Sequence, residues 1–300
     1  MGRLQERILL LGFGEVGQAL FDELEGGGQC RIEAFDIQFD DPASGPSRVA
    51  AKKGLSRHQS LASAMKAASG SDQPGMVLCA VTAAADLDAA EQCAALIPPG
   101  TLYADLNSAS PGVKQQAADT INNAGGSYVE VAVMSPIDPK RLASPMLLGG
   151  PFAQTFLERT QPLGFTGGQV HASEKIGAAS ATKMCRSVVI KGVEALLTES
   201  MLAARHYGVE DGVLDSLSNL LPADDWRALT QYMISRSIEH GGRRAEEMRE
   251  VVKTVEDAGV DPWMSAACVE RQAWAPQHAP ALSEEALGIM LDVMLARRGT

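Results

Sequence analysis

The sequence predicts an α/β protein with a doubly wound, mostly parallel sheet in its N-terminal domain and an all-α C-terminal domain built around a long central helix. Up to about residue 170, short β-type runs alternate with alanine-rich helical segments, which is the rhythm of a parallel sheet with helices on both faces. From Glu174 onward the β-type runs stop, and Ala, Leu, Glu, Met and Arg recur at helical spacing to the end. This change of pattern predicts two domains, residues 1–172 and 173–300.

The strands of the first domain are predicted from short runs of apolar and β-branched residues. In chain order these runs are RILLL, RIEAF, GMVLCAV, TLYADL, SYVEVAV, MLLGG and FTGGQV. In the second domain, the stretch from about Lys175 to His206 is unusually long for one helix and is apolar on most of its surface. We expect it to be the central helix of that domain, because so apolar a helix has to be covered by others.

The composition is that of a globular protein large enough to bury a sizeable core. The chain has 300 residues, of which 45% are hydrophobic, and a formal net charge of -11. Nucleic acid and anionic membrane are poor partners for such a chain, because either would require a basic face. We therefore expect a small-molecule partner.

Three features that the sequence lacks bear on location and on metals. The sequence has no secretory signal pattern and no apolar run of the roughly 18 residues that a membrane span needs, which predicts a cytoplasmic protein. The five cysteines, Cys185 among them, lie far apart and form no CxxC pair. We expect reduced thiols packed in the core, and no metal site.

The segment RILLLGFGEVGQAL places Gly12, Gly14 and Gly17 in GxGxxG spacing between an apolar strand and a helix. The next strand ends at Asp36, close to the spacing at which an acidic residue binds a ribose. In this arrangement the glycines allow a tight turn, a close approach of the backbone to a pyrophosphate, and packing of the helix on the strand. The predicted cofactor-binding residues of this Rossmann-type domain are Gly12, Phe13, Gly14, Glu15, Val16, Gly17 and Asp36. The alternative, a simple strand-to-helix turn, is disfavoured by the surrounding strand–helix–strand pattern.

Asp36 also bears on which dinucleotide binds. Its carboxylate is expected to accept hydrogen bonds from the adenosine ribose hydroxyls and to repel a 2′-phosphate, so NAD is the predicted cofactor. Arg48, Lys52 and Lys53 follow nearby in the sequence and are able to reach a phosphate. NADP therefore stays an alternative.

Three motifs together resemble those of the β-hydroxyacid dehydrogenase superfamily, which includes 3-hydroxyisobutyrate and 6-phosphogluconate dehydrogenases. They are GFGEVG, the turn DLNSASP at residues 105–111, which we assign to the end of the fifth strand, and the glycine-led GAASATK at residues 177–183. The segment from His240 to Ala267 further resembles a branch with a C-terminal domain of unknown function. The resemblance covers nearly the whole chain and implies an NAD(P)-dependent oxidoreductase acting on a secondary alcohol or its ketone.

Lys183 matches the superfamily's lysine, which donates or accepts the proton at the substrate oxygen while hydride passes to or from the nicotinamide. The residues around it support this role independently, because a lysine among small side chains leaves room for a ligand and loses solvation. Ser180, Lys183 and Ser187 lie three and four residues apart and share one helical face. The alternative is a lysine that snorkels at a helix start; beside the dinucleotide motif, catalysis is favoured.

Further ligand contacts are predicted where strands end. The resemblance gives Asn107 and Ser108 the positions that contact a substrate carboxylate, and their place at the carboxyl end of a strand agrees with this role. Asn107 is expected to contact the cofactor as well. Val81 and Thr82, which we assign to the end of the fourth strand, are expected near the nicotinamide for the same reason.

Two departures from the family pattern bear on the substrate. Ser187 stands where the family usually has an asparagine that orients the substrate hydroxyl, and is predicted to contact substrate. AVMSP, at residues 132–136, replaces a P-V-S-G-G segment whose glycines hold a substrate carboxylate. The substrate is therefore expected to differ from a simple small hydroxyacid held in the usual way.

Arg243 and Arg244 are predicted to clamp a carboxylate or phosphate of the substrate. The alternative is an exposed helix on which they pair with Glu246 and Glu247. A homodimer is also predicted, because the long helix has more apolar face than a small helical domain covers. Two other functions stay open: an imine reductase of the same architecture, in which a residue other than lysine often stands at the catalytic position, and a redox sensor that binds NADH without turnover.

Overall fold

The computed structural model describes residues 6–69, 75–217 and 225–296. These residues form two compact units that divide between Lys183 and Met184. The first unit therefore extends past the predicted boundary at residue 172 and includes the first turns of the long helix.

The strands of the first unit form one sheet. They are β1 Glu6–Leu11, β2 Cys30–Phe35, β3 Met76–Cys79, β4 Leu102–Asp105, β5 Ser127–Val133, β6 Met146–Gly149 and β7 Gly168–Val170. Within the described residues the sheet has seven strands in the order β2-β1-β3-β4-β5-β6-β7. Strands β1 to β5 pair in parallel, β6 runs antiparallel to β5, and β7 pairs in parallel with β6. The predicted mostly parallel sheet is confirmed.

Helices cover both faces of this sheet. They are α1 Glu15–Gly27, α2 Gly45–Lys52, α3 Leu61–Ala68, α4 Asp86–Ala94, α5 Pro111–Asn123 and α6 Ala153–Thr160. Side chains of α1, α2 and α6 share one buried cluster with Ile8 and Leu10, whereas those of α3, α4 and α5 share another with Leu9 and Leu11. Because successive strand residues point to opposite faces, a strand covered on both sides is apolar throughout, as RILLL is.

Two assignments of strand number were wrong. Val81 and Thr82 follow β3 rather than a fourth strand, and DLNSASP begins at Asp105, the last residue of β4, rather than at a fifth strand. Between β2 and β3 the described chain forms the two short helices α2 and α3, with no strand between them. The sheet edge on which both segments lie is unchanged by this correction.

The long helix α7, Ala178–Tyr207, lies close to the predicted range of Lys175 to His206. It is followed by α8 Glu210–Leu217, α9 Trp226–Asp257, α10 Trp263–Trp274 and α11 Leu287–Ala296. The described part of the second unit contains no strand, so the predicted all-helical domain is confirmed. Its buried residues include Met201, Ile234 and Leu291 in one cluster and Met248 and Cys268 in another. Every helix in the described ranges is too short or too polar to span a lipid bilayer.

The cysteines are only partly placed as predicted. Cys79, Cys93 and Cys268 are buried and Cys30 is half-buried, each with a free thiol. Cys185 is exposed on α7, so its predicted place in the core was wrong. The local sequence around it is apolar, but its side chain lies on a face of the helix that nothing in the described structure covers.

Candidate cofactor and catalytic site

The glycine loop between β1 and α1 has the close backbone approaches expected of a dinucleotide site. Gly12 has a φ of +95°, and a Cβ atom there would lie 2.4 Å from the carbonyl oxygen of Ala80. A Cβ atom on Gly17 would lie 2.2 Å from the carbonyl oxygen of Gly12. Any larger residue at either position would have to displace backbone, so both positions require glycine.

Gly14 leaves the N-terminus of α1 open to a ligand. It is exposed, and a Cβ atom on it would meet no atom within 4 Å. It is the N-cap of α1, where no described side chain caps the helix, and the amide of Gln18 makes the first intrahelical bond to its carbonyl. The amides of Glu15 and Val16 in the first turn lack helical acceptors and carry a partial positive charge. These residues fit the pyrophosphate of a dinucleotide.

Asp36 connects the end of β2 to the glycine loop. The backbone amide of Phe13 donates to Asp36 Oδ2 at 2.7 Å, and that of Gln38 donates to Oδ1 at 2.8 Å. The carboxylate is therefore fixed beside the loop, and each oxygen keeps a lone pair for a ribose hydroxyl. This arrangement fits a ribose of a dinucleotide.

Asn107 ties the ends of β3 and β4 together. Its Oδ1 accepts from the backbone amide of Val81 at 2.7 Å, and its Nδ2 donates to Asp86 Oδ1 at 2.8 Å and to Cys79 Sγ at 3.4 Å. Its own backbone amide donates to Asp105 Oδ1 at 3.0 Å. A ligand bound by the Asn107 side chain would compete with these bonds. Its predicted contacts with substrate and cofactor stay predictions. Thr82, the next residue after Val81, is exposed.

A buried cluster of charges underlies the turn that follows β4. Lys114 Nζ lies 2.6 Å from Asp105 Oδ1 and 3.5 Å from Asp86 Oδ2, with all three side chains inaccessible to solvent. Tyr128 donates to Asp105 Oδ2 at 2.6 Å. Burial raises the pKa of Asp86 to about 7, against the lowering effect of Lys114. Burial lowers the pKa of Lys114, but Asp105 and Asp86 outweigh it and the net pKa is raised. The cluster supports the turn from its buried side. It contains two carboxyl groups, those of Asp86 and Asp105, and one ammonium group, that of Lys114.

Lys183 and Ser108 are brought together at the end of β4. The Lys183 ammonium donates to Ser108 Oγ at 2.5 Å, and both residues are partly buried. Ser108 follows β4, Gly12 follows β1 and Asp36 follows β2, so these predicted site residues lie at the carboxyl edge of one parallel sheet. Ligands of doubly wound sheets bind at this edge. A proton-bearing amine therefore lies on the same edge as the dinucleotide loop.

The other predicted substrate residues lie in the second unit. Ser187 is buried on α7, one helical turn after Lys183. On α9, Arg243 is exposed and pairs with Glu247 at 3.3 Å, which agrees with the ion-pair interpretation. Arg244 is largely buried and pairs with Glu194 of α7. A clamp formed by the two arginines stays a prediction.

Several buried polar residues of the site region were missed by sequence reasoning. Asp86, Asp105, Lys114 and Glu130 are all fully buried. A usable signal existed for Glu130, because a charged residue in the middle of SYVEVAV interrupts a strand that is covered on both faces. No such signal marks Asp86 or Lys114, which stand among the polar residues of ordinary surface-type helices. In the described ranges, no group of three or more His, Cys, Asp or Glu side chains is arranged to hold a metal ion.

Comparison with known proteins places the chain in a family. Residues 204–275 match the model of a domain of unknown function, DUF1932. The structure is similar to that of a conserved hypothetical protein from Sinorhizobium meliloti, with 34% sequence identity, a TM-score of 0.74, and coverage of 98% of this chain and 97% of the other. It is also similar to a conserved protein of unknown function described as resembling 3-hydroxyacid dehydrogenases, at 28% identity and a TM-score of 0.69, over 90% and 97% of the two chains.

This chain belongs to the β-hydroxyacid dehydrogenase superfamily. Within the superfamily it lies in the branch that carries DUF1932 as the C-terminal domain. The superfamily fold is also seen in the 3-hydroxyisobutyrate dehydrogenase of Mycobacterium tuberculosis solved with L-serine, at 17% identity and a TM-score of 0.69 over 96% and 98% of the chains. A more distant likeness in fold is an Aspergillus terreus reductive aminase in complex with NADPH, at 17% identity and a TM-score of 0.56 over 98% and 100%. The predicted membership and branch are confirmed.

Proposed function

We propose that this protein transfers hydride between a nicotinamide cofactor and a secondary alcohol or its ketone, with Lys183 as the general acid or base. The observation that carries the proposal is the hydrogen bond from Lys183 to Ser108 at 2.5 Å. The bond lies at the carboxyl edge of the sheet that also bears the glycine loop. A bound nicotinamide would supply or accept the hydride, and a hydroxyl or carbonyl oxygen of the substrate needs a proton partner within hydrogen-bond reach.

Lys183 is suited to that task by its surroundings. It stands in GAASATK, where the residues before it have small side chains. As an ammonium it donates a hydrogen bond that stabilises an alkoxide forming on the substrate, and as an amine it accepts the alcohol proton. Ser108 Oγ accepts a hydrogen bond from the Lys183 ammonium and so orients the amine.

The cofactor is proposed to be NAD. The glycine loop fits a pyrophosphate, and the fixed Asp36 carboxylate favours free ribose hydroxyls over a 2′-phosphate. NADP is the alternative, since at least one protein of this fold binds NADPH. The substrate is proposed to be a β-hydroxyacid or a larger hydroxyl compound with an acidic group, which Ser187, Arg243 and Arg244 would help to bind.

An imine reductase is the second candidate function, because the fold is shared with a reductive aminase. The lysine at position 183 favours alcohol chemistry over this alternative. A screen tests the choice directly: the purified protein is given NAD or NADP with 3-hydroxyacids, larger aromatic and β-hydroxy alcohols, and, in the reductive direction, ketones and cyclic imines. Turnover of an alcohol or ketone is the expected result. Turnover of imines alone would replace the proposal, and NADH binding without any turnover would favour a redox sensor.

A further inference from the structure

We infer that Glu130 is a positioning residue for Lys183, because its carboxylate holds the first turn of α7 and so sets where the ammonium meets Ser108. The inference rests on the proposed role of Lys183 and adds a residue that lies on β5, in a different part of the fold. Glu130 is fully buried. A carboxylate is costly to bury, so its persistence there points to specific partners.

Those partners are two backbone amides at the start of α7. Gly177 donates to Glu130 Oε2 at 2.8 Å, and Ser180 donates to Oε1 at 2.6 Å. The amides of a first helical turn have no acceptor within the helix, and a negative charge is stabilised there by the helix dipole. Each carboxylate oxygen therefore satisfies one amide, and the helix start is fixed to the sheet at two points.

The strand beside β5 is built to leave room for this carboxylate. Gly149 of β6 is paired with Glu130 in the antiparallel register. A Cβ atom on Gly149 would lie 2.5 Å from Glu130 Oε2, so any side chain at that position would displace the carboxylate. Gly149 thus gives a second, independent way to disturb the same contact.

The turn that Glu130 holds also packs on the segment that carries Ser108. Gly177 has a φ of +90°, and a Cβ atom there would lie 3.0 Å from Pro111 Cβ. Pro111 begins α5, three residues after Ser108. Ser180 precedes Lys183 by three residues, about one helical turn. A shift of this turn would therefore move the Lys183 amine relative to Ser108.

Two substitutions test the inference without requiring a known substrate. Glu130→Gln keeps the shape but replaces one acceptor oxygen by an NH₂ group, which cannot accept an amide proton. Gly149→Ala keeps the glutamate at position 130 but adds a methyl group in the space that its carboxylate occupies. Glu6→Gln is the matched control, because Glu6 lies in the same unit and pairs with Arg159 at 2.6 Å at the start of β1.

The readout is the environment of the Lys183 amine itself. Reductive methylation with isotope-labelled methyl groups gives each accessible lysine an NMR signal, and the signal of Lys183 is the one missing from Lys183→Met. We expect this signal to shift in Glu130→Gln and in Gly149→Ala. Hydrogen exchange at the Gly177 and Ser180 amides should become roughly tenfold faster in both variants, because the free energy of a typical hydrogen bond corresponds to a change of about that size. Glu6→Gln should lower the melting temperature and leave both readouts unchanged.

The outcomes separate this inference from the proposed function. A Lys183 signal and amide exchange rates that match the wild type in both variants would overturn the role of Glu130, whatever the turnover. If Glu130→Gln does not fold, Glu130→Asp, which keeps the charge on a shorter side chain, is measured in the same way. If Lys183→Met turns over normally, the proposed function fails, while the NMR result still decides whether Glu130 positions the amine. If Lys183 is catalytic and Glu130 positions it, Glu130→Gln should lower turnover when it is the only substitution. The same substitution should cause no further loss of turnover when it is added to Lys183→Met.

Discussion

The Lys183 ammonium and Ser108 Oγ lie 2.5 Å apart, although the two residues stand 75 positions apart in the sequence. One comes from the second turn of α7 and the other from the turn after β4. The contact brings the only charged residue of GAASATK to the edge of the sheet at which Asp36 and the glycine loop also lie. It marks the place where we expect the reacting oxygen of a substrate.

The first prediction concerns Asp36 and cofactor choice. Asp36→Ser removes the charge that opposes a 2′-phosphate, so the preference for NADH over NADPH should narrow by about tenfold or more, measured as dissociation constants by fluorescence titration. It should also lower stability by about 1–3 kcal/mol, because Phe13 and Gln38 donate to this carboxylate. Asp41→Ser is the control, since Asp41 is exposed and accepts from Ala43. An unchanged ratio in Asp36→Ser would mean that another residue decides cofactor choice.

The second prediction concerns pH and the buried cluster around Lys114. Asp86 has a pKa of about 7 in the fold because of burial, above the value of about 4 of an unfolded aspartate. Folding therefore favours the protonated form of Asp86. The contribution of Asp86 to the free energy of unfolding is complete below about pH 4 and is lost as the pH rises through about 7. Asp86→Asn is neutral throughout and keeps an acceptor for Asn107. At about pH 8 it should be more stable than the wild type by at least about 1 kcal/mol, since one pKa unit corresponds to about 1.4 kcal/mol.

Urea unfolding at a series of pH values checks this prediction. The advantage of Asp86→Asn should shrink as the pH falls toward about 5, where Asp86 of the wild type is itself protonated. Parallel stability curves for the two proteins across this range would show that Asp86 does not titrate in it.

Much of the fold could be predicted from the sequence, for identifiable physical reasons. Parallel strands covered on both faces must be apolar, so RILLL, RIEAF and SYVEVAV are recognisable, and the helix from about Lys175 lies close to α7. The glycine loop is equally readable, because Gly12 and Gly17 occupy positions where a Cβ atom would meet backbone. These features depend on residues near one another in the chain.

The parts that were missed depend on distant pairs. Nothing near Asn107 in the sequence indicates that its amide binds Val81 and Asp86, more than twenty positions away. Likewise, Arg244 of α9 pairs with Glu194 of α7 and not with a neighbouring glutamate of α9. Cys185 is exposed because residues of one helix point to different faces, which an apolar local composition does not reveal.

The third prediction is the homodimer. Val189 and Leu196 of α7 are 62% and 57% exposed, and with the exposed Cys185 they lie four and seven residues apart on one helical face. We expect this face to be covered by a second copy, so sedimentation at micromolar concentration should give twice the chain mass of 31.6 kDa. Leu196→Asp should shift the protein to the monomer, whereas Val209→Asp, at an exposed residue before α8, should not. A monomeric wild type at that concentration would contradict the prediction.

Lys183→Met tests the central claim, because a structural lysine and a catalytic one respond to it differently. The variant should fold at least as stably as the wild type, since an apolar group of similar length replaces a partly buried charge. It should bind NADH normally, because the glycine loop and Asp36 are untouched. Lys175→Met, at an exposed lysine just before α7, is the control and should change neither binding nor turnover.

The decisive measurement is the turnover number of Lys183→Met on the substrate that the alcohol and ketone screen identifies. If Lys183 transfers the proton, turnover should fall by roughly 10²- to 10⁴-fold, which is the rate enhancement that a positioned acid or base usually gives. NADH binding should be retained. Turnover within a few-fold of the wild type would contradict the account, because Lys183 would then be only a structural partner of Ser108.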